Sequence, residues 1–290
     1  MEKVEEGFYG LVRDQIVELK TTKPELKEIL DFYEDTLKAQ RQVKLSFQAD
    51  LSKLDIELCR KRNSKSLPIL KSEDIQIDQD LFDRLLEDIG QLIQSKIKEA
   101  IPVTLKRFSL DKQCALLLHG LMENGSVLQT LACEMKADFR VFYFLVTQAF
   151  SPFLQSYAQK IGEVVDLSGW LRGVCPICGK EPMIARLEEE TGRRWLFCPL
   201  CHTEWLFKRL VCPFCENDEQ ESLRYFFVEN DQAHRIDVCD KCKRYIKTID
   251  LRKTDNAMNL FVENLSTLAL DIVADREGFR GGDVSLFREK

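Results

Sequence analysis

The sequence predicts an α+β protein with an all-helical N-terminal domain, a tandem four-cysteine module and a closing C-terminal helix. Up to residue 166, apolar residues recur at helical spacing, glycine is rare and no CxxC pair occurs. Four CxxC pairs follow between residues 175 and 242, among short strand-like runs. An apolar stripe at helical spacing then closes the chain. We therefore expect domains at residues 1–166, 167–253 and 254–290.

The composition is that of a globular protein without a strong attraction to nucleic acid or membranes. The 290 residues carry a formal net charge of −6, and the pI is near 5.4, so any basic surface has to be local. The most apolar stretch, 141–146, is too short to cross a bilayer as a helix. Residues 1–6 are acidic where an export signal is basic and then apolar, so we expect a cytoplasmic protein.

Local signals place the helices and strands. Thr22 and Glu25 have the spacing of a capping box, with Pro24 in the first turn, which predicts a helix running to about Leu54. The polar stretch 60–78 interrupts the apolar periodicity and predicts a loop. Further elements are predicted as helices at 81–93, 110–124, 126–134, 138–163 and 256–275, and as strands at 195–197 and 225–228.

The cysteines carry the most specific signal in the chain. Eight of the eleven form CxxC pairs, namely Cys175/Cys178, Cys198/Cys201, Cys212/Cys215 and Cys239/Cys242. Two residues between cysteines allow a tight turn to aim both thiols at one point, which supplies half of a tetrahedral metal site. Disulfides are typical of small secreted domains, whereas this chain is large and begins without an export signal. We therefore predict two metal ions, each bound by four cysteines.

The spacing of the pairs favours two sites built from consecutive pairs. The first two pairs enclose 19 residues and the last two enclose 23, each enough for a β-hairpin of the zinc-ribbon or rubredoxin type. Interleaved pairing, first with third and second with fourth, stays open as an alternative. A site of four thiolates accepts zinc and also the single iron of a rubredoxin, and we expect zinc, with iron as the alternative.

The residues around the cysteines suggest how the turns are built and balanced. Gly179 can adopt the left-handed backbone conformation that follows the second cysteine of such a turn. In the other three turns His202, Glu216 and Lys243 occupy this place. Nearby basic side chains are expected to offset part of the thiolate charge, and they are Arg194, Lys208, Arg209, Lys241, Lys243, Arg244 and Lys247.

The sequence does not support catalysis. The strings GxxxxGK[ST], GxGxxG and HExxH are absent from it. Cys59, Cys114 and Cys133 stand alone in helical surroundings, so we expect small buried apolar residues. His202 and Glu204 could form a proton-transfer pair, but we expect them to be surface residues or neighbours of a metal site. We predict no catalytic residue.

Several motifs occur together in the order and spacing of a known family. They are CPICG at 175–179, GRRWLFC at 192–198, CHTEW at 201–205, CDKC at 239–242, YIKT at 245–248, NLSTLALD at 264–271 and EGFR at 277–280. With Arg209 and Cys212, they resemble the formate dehydrogenase accessory proteins, known as FdhE. The specific motifs lie within residues 167–282, and the helical half resembles the family only in general character. Near the end, residues 282–287 replace an asparagine-proline-phenylalanine string that is common in that family.

This resemblance implies a cytoplasmic protein with a rubredoxin-like module that is needed to form active formate dehydrogenase. It implies as partner the immature catalytic subunit, an enzyme subunit that contains molybdenum or tungsten. We expect exposed residues of the module to contact that subunit. The candidates are Trp170, Arg194, Trp205, Arg209 and Tyr245.

Two other functions stay open from the residues alone. A nucleic-acid-binding zinc ribbon would use arginines and aromatic residues near its cysteines, but acidic and basic residues are about equally frequent between 172 and 253. A thiol-redox protein would need a metal-free CxxC pair with a lowered thiol pKa. Four tandem pairs without a βαβ pattern argue against that second alternative. The sequence does not predict an oligomeric state.

Overall fold

The computed structural model describes residues 2–96, 111–228, 231–254 and 259–281. Within these ranges the α-helices are α1 (Glu2–Thr22), α2 (Lys27–Ser46), α3 (Ile56–Ser64), α4 (Gln79–Lys96), α5 (Asp111–Met122), α6 (Gly125–Glu134), α7 (Phe139–Val164), α8 (Leu260–Ser266) and α9 (Leu268–Arg276). The strands are β1 (Ile184–Leu187), β2 (Arg194–Phe197), β3 (Glu204–Phe207), β4 (Leu223–Val228), β5 (Asp231–Cys239) and β6 (Arg244–Asp250). This order confirms the α+β class. No helix in the described ranges is long and apolar enough to span a bilayer.

The start of α2 differs from the sequence prediction. Thr22 is the last residue of α1, and its hydroxyl donates to the carbonyl of Glu18 at 3.1 Å, so no capping box forms there. A short 3-10 turn over Pro24–Leu26 leads into α2, which ends at Ser46 and does not extend to Leu54. The proline disfavours a helical conformation at the residue before it, which separates α1 from α2.

Two other boundaries also depart from the predicted pattern. Helix α3 occupies part of the predicted loop, and the Asp55 carboxylate caps it by accepting the amide of Leu58 at 3.0 Å. The predicted closing helix is two helices, which meet at Thr267. The hydroxyl of Thr267 donates to the carbonyl of Glu263 at 2.7 Å, and its backbone leaves the helical region. The predicted start at 256 and the tail at 282–287 lie outside the described residues.

Helix α7 organises the helical half, because it is buried along most of its length. It packs against α2, α4, α5 and α6. The ring centroids of Phe150 and Phe82 are 4.5 Å apart, and those of Phe153 and Phe47 are 4.8 Å apart. Aromatic pairs of this kind add stability beyond the apolar area they bury. The helices predicted at 110–124, 126–134 and 138–163 are confirmed as α5, α6 and α7.

The strands form one six-stranded sheet in the order β3-β2-β1-β6-β5-β4. We call β1–β3 with their cysteine turns lobe 1, and β4–β6 with theirs lobe 2. Both lobes repeat the order turn, strand, strand, turn, strand, and all pairs within a lobe are antiparallel. The lobes join through β1 and β6, which are parallel, with Ile184 opposite Lys247 and Leu187 opposite Asp250.

Lobe 1 shares a continuous hydrophobic core with the helical half. Backbone amides of Ile69 and Leu70 donate to the carbonyls of Pro176 and Ile177 at 2.8 and 2.9 Å. On the opposite cysteine turn, the Ser151 hydroxyl of α7 donates to a backbone carbonyl at 2.8 Å. The segment between α3 and α4 therefore holds the first cysteine turn of lobe 1, and α7 holds the second. Whether the chain divides at 166/167 and 253/254 stays a prediction.

Helix α8 is fixed to the sheet by a charged cluster around His234 on β5. Nε2 of His234 lies 2.9 Å from Oε2 of Glu263, and Nδ1 lies 2.8 Å from Oδ2 of Asp231. Burial alone would lower the pKa of His234, but the hydrogen bond and negative charge of Glu263, aided by Asp231, raise it above its ordinary value. The protonated imidazole therefore bridges the sheet and α8.

Replacing His234 with Gln is expected to destabilise the protein most at low pH. The raised pKa means that this stabilisation is complete below the unfolded pKa of about 6.5 and is lost as pH rises through the folded pKa. At pH 6 we expect a loss of roughly 1–3 kcal/mol, because the buried Glu263 carboxylate loses its charged partner. Thermal unfolding from pH 5.5 to 9 of the wild type, His234→Gln and the control His119→Gln measures this. An equal Tm difference at all pH values would contradict the assignment.

Candidate metal centre

All four CxxC turns place the residue after the second cysteine in the left-handed region. The φ angles are 76° at Gly179, 57° at His202, 56° at Glu216 and 55° at Lys243. Glycine adopts this conformation freely, whereas other residues lose about 1–2 kcal/mol in it. The sequence signal was visible only at Gly179, yet the same backbone forms in the other three turns.

Backbone hydrogen bonds explain why the left-handed residue is needed. In the first turn the amide of Gly179 donates to the carbonyl of Cys175 at 3.0 Å. The amide of Cys175 then donates to the carbonyl of Lys180 at 2.7 Å, which closes a loop around the two thiols. The turn at Cys212 repeats both bonds, at 3.0 and 2.8 Å. The reversal after the second cysteine therefore points both sulfurs to the same side.

The turns bring the eight CxxC sulfurs together as two groups of four. Cluster 1 is Cys175, Cys178, Cys198 and Cys201, and cluster 2 is Cys212, Cys215, Cys239 and Cys242. In each cluster the four sulfurs lie within 4.8 Å of one another. The grouping is that of consecutive pairs, as the spacing favoured, and interleaved pairing does not occur. Each lobe therefore contains one complete four-sulfur cluster.

The sulfur spacing fits a tetrahedral metal ion. The sulfurs of Cys178 and Cys198 lie 3.4 Å apart in cluster 1, and those of Cys212 and Cys242 lie 3.7 Å apart in cluster 2. A tetrahedron with metal–sulfur bonds of about 2.3 Å has sulfurs about 3.8 Å apart, whereas a disulfide bond is about 2.05 Å long. All eleven cysteines are free of disulfides. Zinc and a rubredoxin-type iron both suit such a donor set.

Hydrogen bonds to sulfur favour the ionised form of the clustered thiols. The amides of Leu200 and Cys201 approach the Cys198 sulfur at 3.4 and 3.5 Å. In cluster 2 the side-chain amide of Asn217 lies 3.8 Å from the Cys239 sulfur. Donors of this kind stabilise a thiolate against its neighbours. They do so without adding a fifth ligand.

Burial distinguishes the two clusters. Every cysteine of cluster 1 is buried, and burial raises the pKa of Cys178 and Cys198 well above the ordinary thiol value. In cluster 2, Cys215 is exposed and Cys242 is half-buried, while burial raises the pKa of Cys212 to about 11. Buried thiols need a bound cation to stay ionised. Cluster 1 is therefore enclosed, and cluster 2 is open to solvent on one side.

Four of the five candidate contact residues are buried in the module. Trp170 donates its ring N–H to the carbonyl of Val174 at 2.8 Å, and Trp205 donates to the carbonyl of Arg172 at 2.9 Å. The two indoles thus brace the segment that enters the first cysteine turn. In each case the indole N–H has a hydrogen-bond acceptor while the rest of the ring is buried. Neither tryptophan forms an exposed surface.

Arg194 and Tyr245 are buried as well, whereas Arg209 is exposed. Arg194 donates to the carbonyl of Val211 at 3.2 Å and so fastens the segment between the lobes. The Tyr245 hydroxyl donates to Asp271 of α9 at 2.7 Å, which ties that helix to the sheet. Partner contact by any of the five stays a prediction, and Arg209 alone presents its side chain for it.

The structure also decides the surroundings of the single cysteines and of His202. Cys59 and Cys114 are buried as expected, but the prediction for Cys133 is wrong because it lies on the exposed side of α6. His202 packs against the rings of Phe197 and Phe261, with centroids 5.2 and 5.8 Å away, and burial lowers its pKa to about 3.

Glu204 also has a structural partner. Its carboxylate accepts a 2.6 Å hydrogen bond from the Arg186 guanidinium. His202 is neutral and Glu204 is ion-paired. Both are therefore neighbours of the metal site, as expected, and not a proton-transfer pair.

The structure has an exposed apolar surface that the sequence did not predict. Leu210 and Tyr225 are both 59% exposed, and the ring of Phe227 stacks edge-on against Tyr225 at 5.5 Å. Tyr225 and Phe227 lie on the same face of β4, an edge strand of the sheet. Together with Arg209 we call these residues the linker face. Five of the six residues of β4 are apolar or aromatic, so its sequence does not indicate which face is covered.

Chelation is expected to remove metal from the two clusters at different rates. A competing chelator should take the ion of cluster 2 at least about tenfold faster, because enclosed ligands release an ion only on local opening. Timed metal release from the metal-loaded protein and from Cys215→Ser identifies the fast phase. Cys133→Ser, an exposed cysteine outside both clusters, is the control and should keep both phases. A single common rate would contradict the difference in enclosure.

Gly179→Ala is expected to destabilise the first turn by roughly 1–2 kcal/mol, the penalty of a side chain in the left-handed region. The added Cβ would also lie 3.0 Å from Cγ of Pro68. Gly162→Ala is the matched control. It lies in α7, no described atom beyond its own helical turn comes within 4 Å of the new carbon, and the change should stabilise slightly. Thermal unfolding of the metal-loaded variants measures both. Equal Tm values would show that the turn tolerates a side chain.

Comparisons with known proteins agree with this architecture. Residues 174–209 match the family described as FdhE, central domain, and residues 210–287 match FdhE, C-terminal domain. The boundary between the two matches falls in the segment that joins the lobes. The crystal structure of the FdhE protein from Pseudomonas aeruginosa has the same fold, with a TM-score of 0.67 at 21% identity, over 94% of this chain and 93% of that one.

Relatives at the sequence level extend the likeness to the helical half. A Protein FdhE homolog from Aquifex aeolicus (strain VF5) is 31% identical over 275 residues, which span 92% of this chain and 90% of the relative. Protein FdhE from Salmonella paratyphi A is 34% identical over 122 residues, which span 41% of this chain and 38% of that protein. At 92% of this chain, the first alignment reaches well beyond the cysteine-containing half. The chain therefore belongs to the FdhE family.

Proposed function

We propose that the protein is a cytoplasmic accessory factor that binds the immature catalytic subunit of a molybdenum- or tungsten-dependent formate dehydrogenase. Its membership in the FdhE family carries this proposal. An enzyme subunit that awaits a large cofactor has an incompletely packed site. A protein that binds only the competent form stabilises that form by mass action. Such a factor needs a rigid binding surface and no reaction of its own.

Each cluster is proposed to hold one zinc ion, with iron as the alternative occupant. The four sulfurs of a cluster complete a tetrahedral shell, so the ion keeps no open position for a substrate. Closed sites of this type stabilise folds, because metal binding and folding are coupled. The two clusters would then hold the lobes rigid while other residues contact the partner.

The linker face is the proposed contact surface for the catalytic subunit. Arg209 is its charged member, and Leu210, Tyr225 and Phe227 supply exposed apolar area. Aromatic residues and arginine are the side chains that most often dominate binding energy at protein interfaces. The face extends from the segment between the lobes to the edge strand β4, beside the more exposed cluster 2.

A co-purification assay tests the proposed contact. We expect Arg209→Glu and Tyr225→Ser each to weaken binding to the cofactor-free catalytic subunit by about tenfold or more, as for residues that dominate an interface. Formate dehydrogenase activity in a strain lacking its own FdhE homologue should fall in parallel. Arg276→Glu on α9 and Leu67→Ser in the helical half are matched exposed controls that should retain both.

Metal analysis of the same anaerobically purified samples separates the two parts of the proposal. Two zinc ions per chain, without visible absorption, support the closed structural sites. Two iron ions with rubredoxin-type colour would identify iron, and not zinc, as the bound metal. The binding assay would then decide on the contact surface. Wild-type binding by both linker-face variants would refute the contact surface. Failure of the wild-type protein to bind the subunit or restore activity would refute the function.

A further inference from the structure

A cavity of about 170 Å³ lies between the lobes, next to cluster 2. By the same measure one water needs only about 10–15 Å³, so this space accepts a small molecule or group. Its walls include Phe214, Tyr225, Cys212 and Cys239. Among the described residues, Asp237 is the one carboxylate in its lining, against five arginines, which are Arg194, Arg209, Arg224, Arg235 and Arg244.

Three of these arginines already have carboxylate partners. Arg224 binds Asp240 at 2.6 and 2.9 Å, Arg244 binds Glu181 at 2.6 and 2.5 Å, and Arg235 lies 3.0 Å from Asp237. These pairs fix the guanidinium groups in position and neutralise the carboxylates of Asp237, Asp240 and Glu181.

Arg194 differs from the other four because it is deeply buried, and two of its three side-chain nitrogens lack a hydrogen-bond partner within the described residues. It is 3% exposed, and its Nη1 donates to the backbone carbonyl of Val211 at 3.2 Å. Its Nε and Nη2 make no hydrogen bond within the described part of the chain. The nearest carboxylate oxygen, Oδ2 of Asp237, is 3.8 Å from Nη2. Such unmet donors of a buried charged group are costly, and they call for a hydrogen-bonding partner.

Charge balance with cluster 2 does not by itself satisfy these donors. A metal ion with four thiolates carries a net charge of about −2, which favours cations nearby. Long-range attraction of this kind compensates the charge of Arg194 but provides no acceptor atom for its Nε and Nη2. Nε of Arg244 likewise makes no hydrogen bond within the described residues. An oxyanion inside the cavity would supply acceptors to both side chains.

Aromatic rings hold the guanidinium planes that line the cavity. The guanidinium carbon of Arg244 lies 3.8 Å from the centroid of Phe214, and that of Arg235 lies 4.9 Å from the centroid of Tyr225. Arg194, Arg235 and Arg244 come from β2, β5 and β6, so their donors approach from three different strands. A tetrahedral oxyanion presents acceptor oxygens in several directions and can meet planar forks from different strands, whereas the two oxygens of a carboxylate lie in one plane.

We propose that this cavity is a phosphate-binding site, with Arg194 as the principal buried donor and Arg235 and Arg244 as supporting ones. The ligand is inorganic phosphate or the phosphate group of a small ester. This site does not depend on the proposed function, since it is defined by the arginines alone. Tyr225 and Phe214 give the cavity apolar walls beside the charged donors, and these would contact the organic part of an ester.

Calorimetric titration of the metal-loaded full chain tests the site. Inorganic phosphate and phenyl phosphate are titrated in phosphate-free buffer at constant ionic strength, with chloride as the reference anion. We expect saturable one-to-one binding of at least one phosphate compound, and tighter binding of phenyl phosphate if the natural ligand is an ester. Arg194→Gln should raise Kd at least about tenfold, the effect of losing charge-assisted hydrogen bonds.

Arg193→Gln is the matched control. Arg193 is next to Arg194 in the sequence, but its side chain is exposed and its Nε lies 2.9 Å from Oε2 of Glu188. This change should leave Kd unchanged. If Arg194→Gln loses metal or fails to fold, Arg235→Gln is the second variant, and it is expected to raise Kd as well. Absence of saturable binding to the wild type would overturn the proposal. Equal Kd values in the wild type and in a folded cavity variant would show an adventitious ion only.

Discussion

The convergence of four sulfurs within each lobe is the constraint on which the C-terminal half depends. Sulfurs 3.5 Å apart, if all ionised, repel one another by about 5 kcal/mol per pair at an effective dielectric constant of 20. The amide donors offset part of this repulsion, and a bound cation or shared protons must offset the rest. The turns, hairpins and left-handed residues serve to hold the sulfurs at that distance. The sheet is then the connection between two such centres, made where β1 meets β6.

The helical half gives the two equivalent lobes different environments. Ile69, Leu70 and Ser151 bond to the cysteine turns of lobe 1, and the shared core closes over cluster 1. Lobe 2 contacts α9 instead, through Tyr245 and a buried lysine, and its cluster keeps one side toward solvent. Two copies of one local design thus acquire different accessibility. The enclosed one is suited to structure, and the open one lies beside the surfaces that we propose to bind other molecules.

Arginine is concentrated between the lobes despite the overall acidity of the chain. Arg194 fastens the segment between the lobes through its carbonyls, and the arginines around it are oriented by carboxylates and aromatic rings. This combination of a rigid scaffold with fixed guanidinium groups favours recognition of an anion, because the donors need little reorganisation on binding. The linker face and the cavity share Arg209, Leu210 and Tyr225, so a partner and an anion would meet at one place.

The sequence by itself determined the α+β class and the four CxxC pairs, and it favoured their consecutive pairing, because these follow from short-range spacing; the structure decided the pairing. CxxC turns and apolar helical periodicity are local properties, and the family motifs are local as well. Long-range packing decided the rest. It buried Trp170, Arg194, Trp205 and Tyr245, which the sequence offered as contacts, and it exposed Cys133. Burial depends on which elements cover a residue, and that is fixed only when distant segments meet, as the helices do over lobe 1.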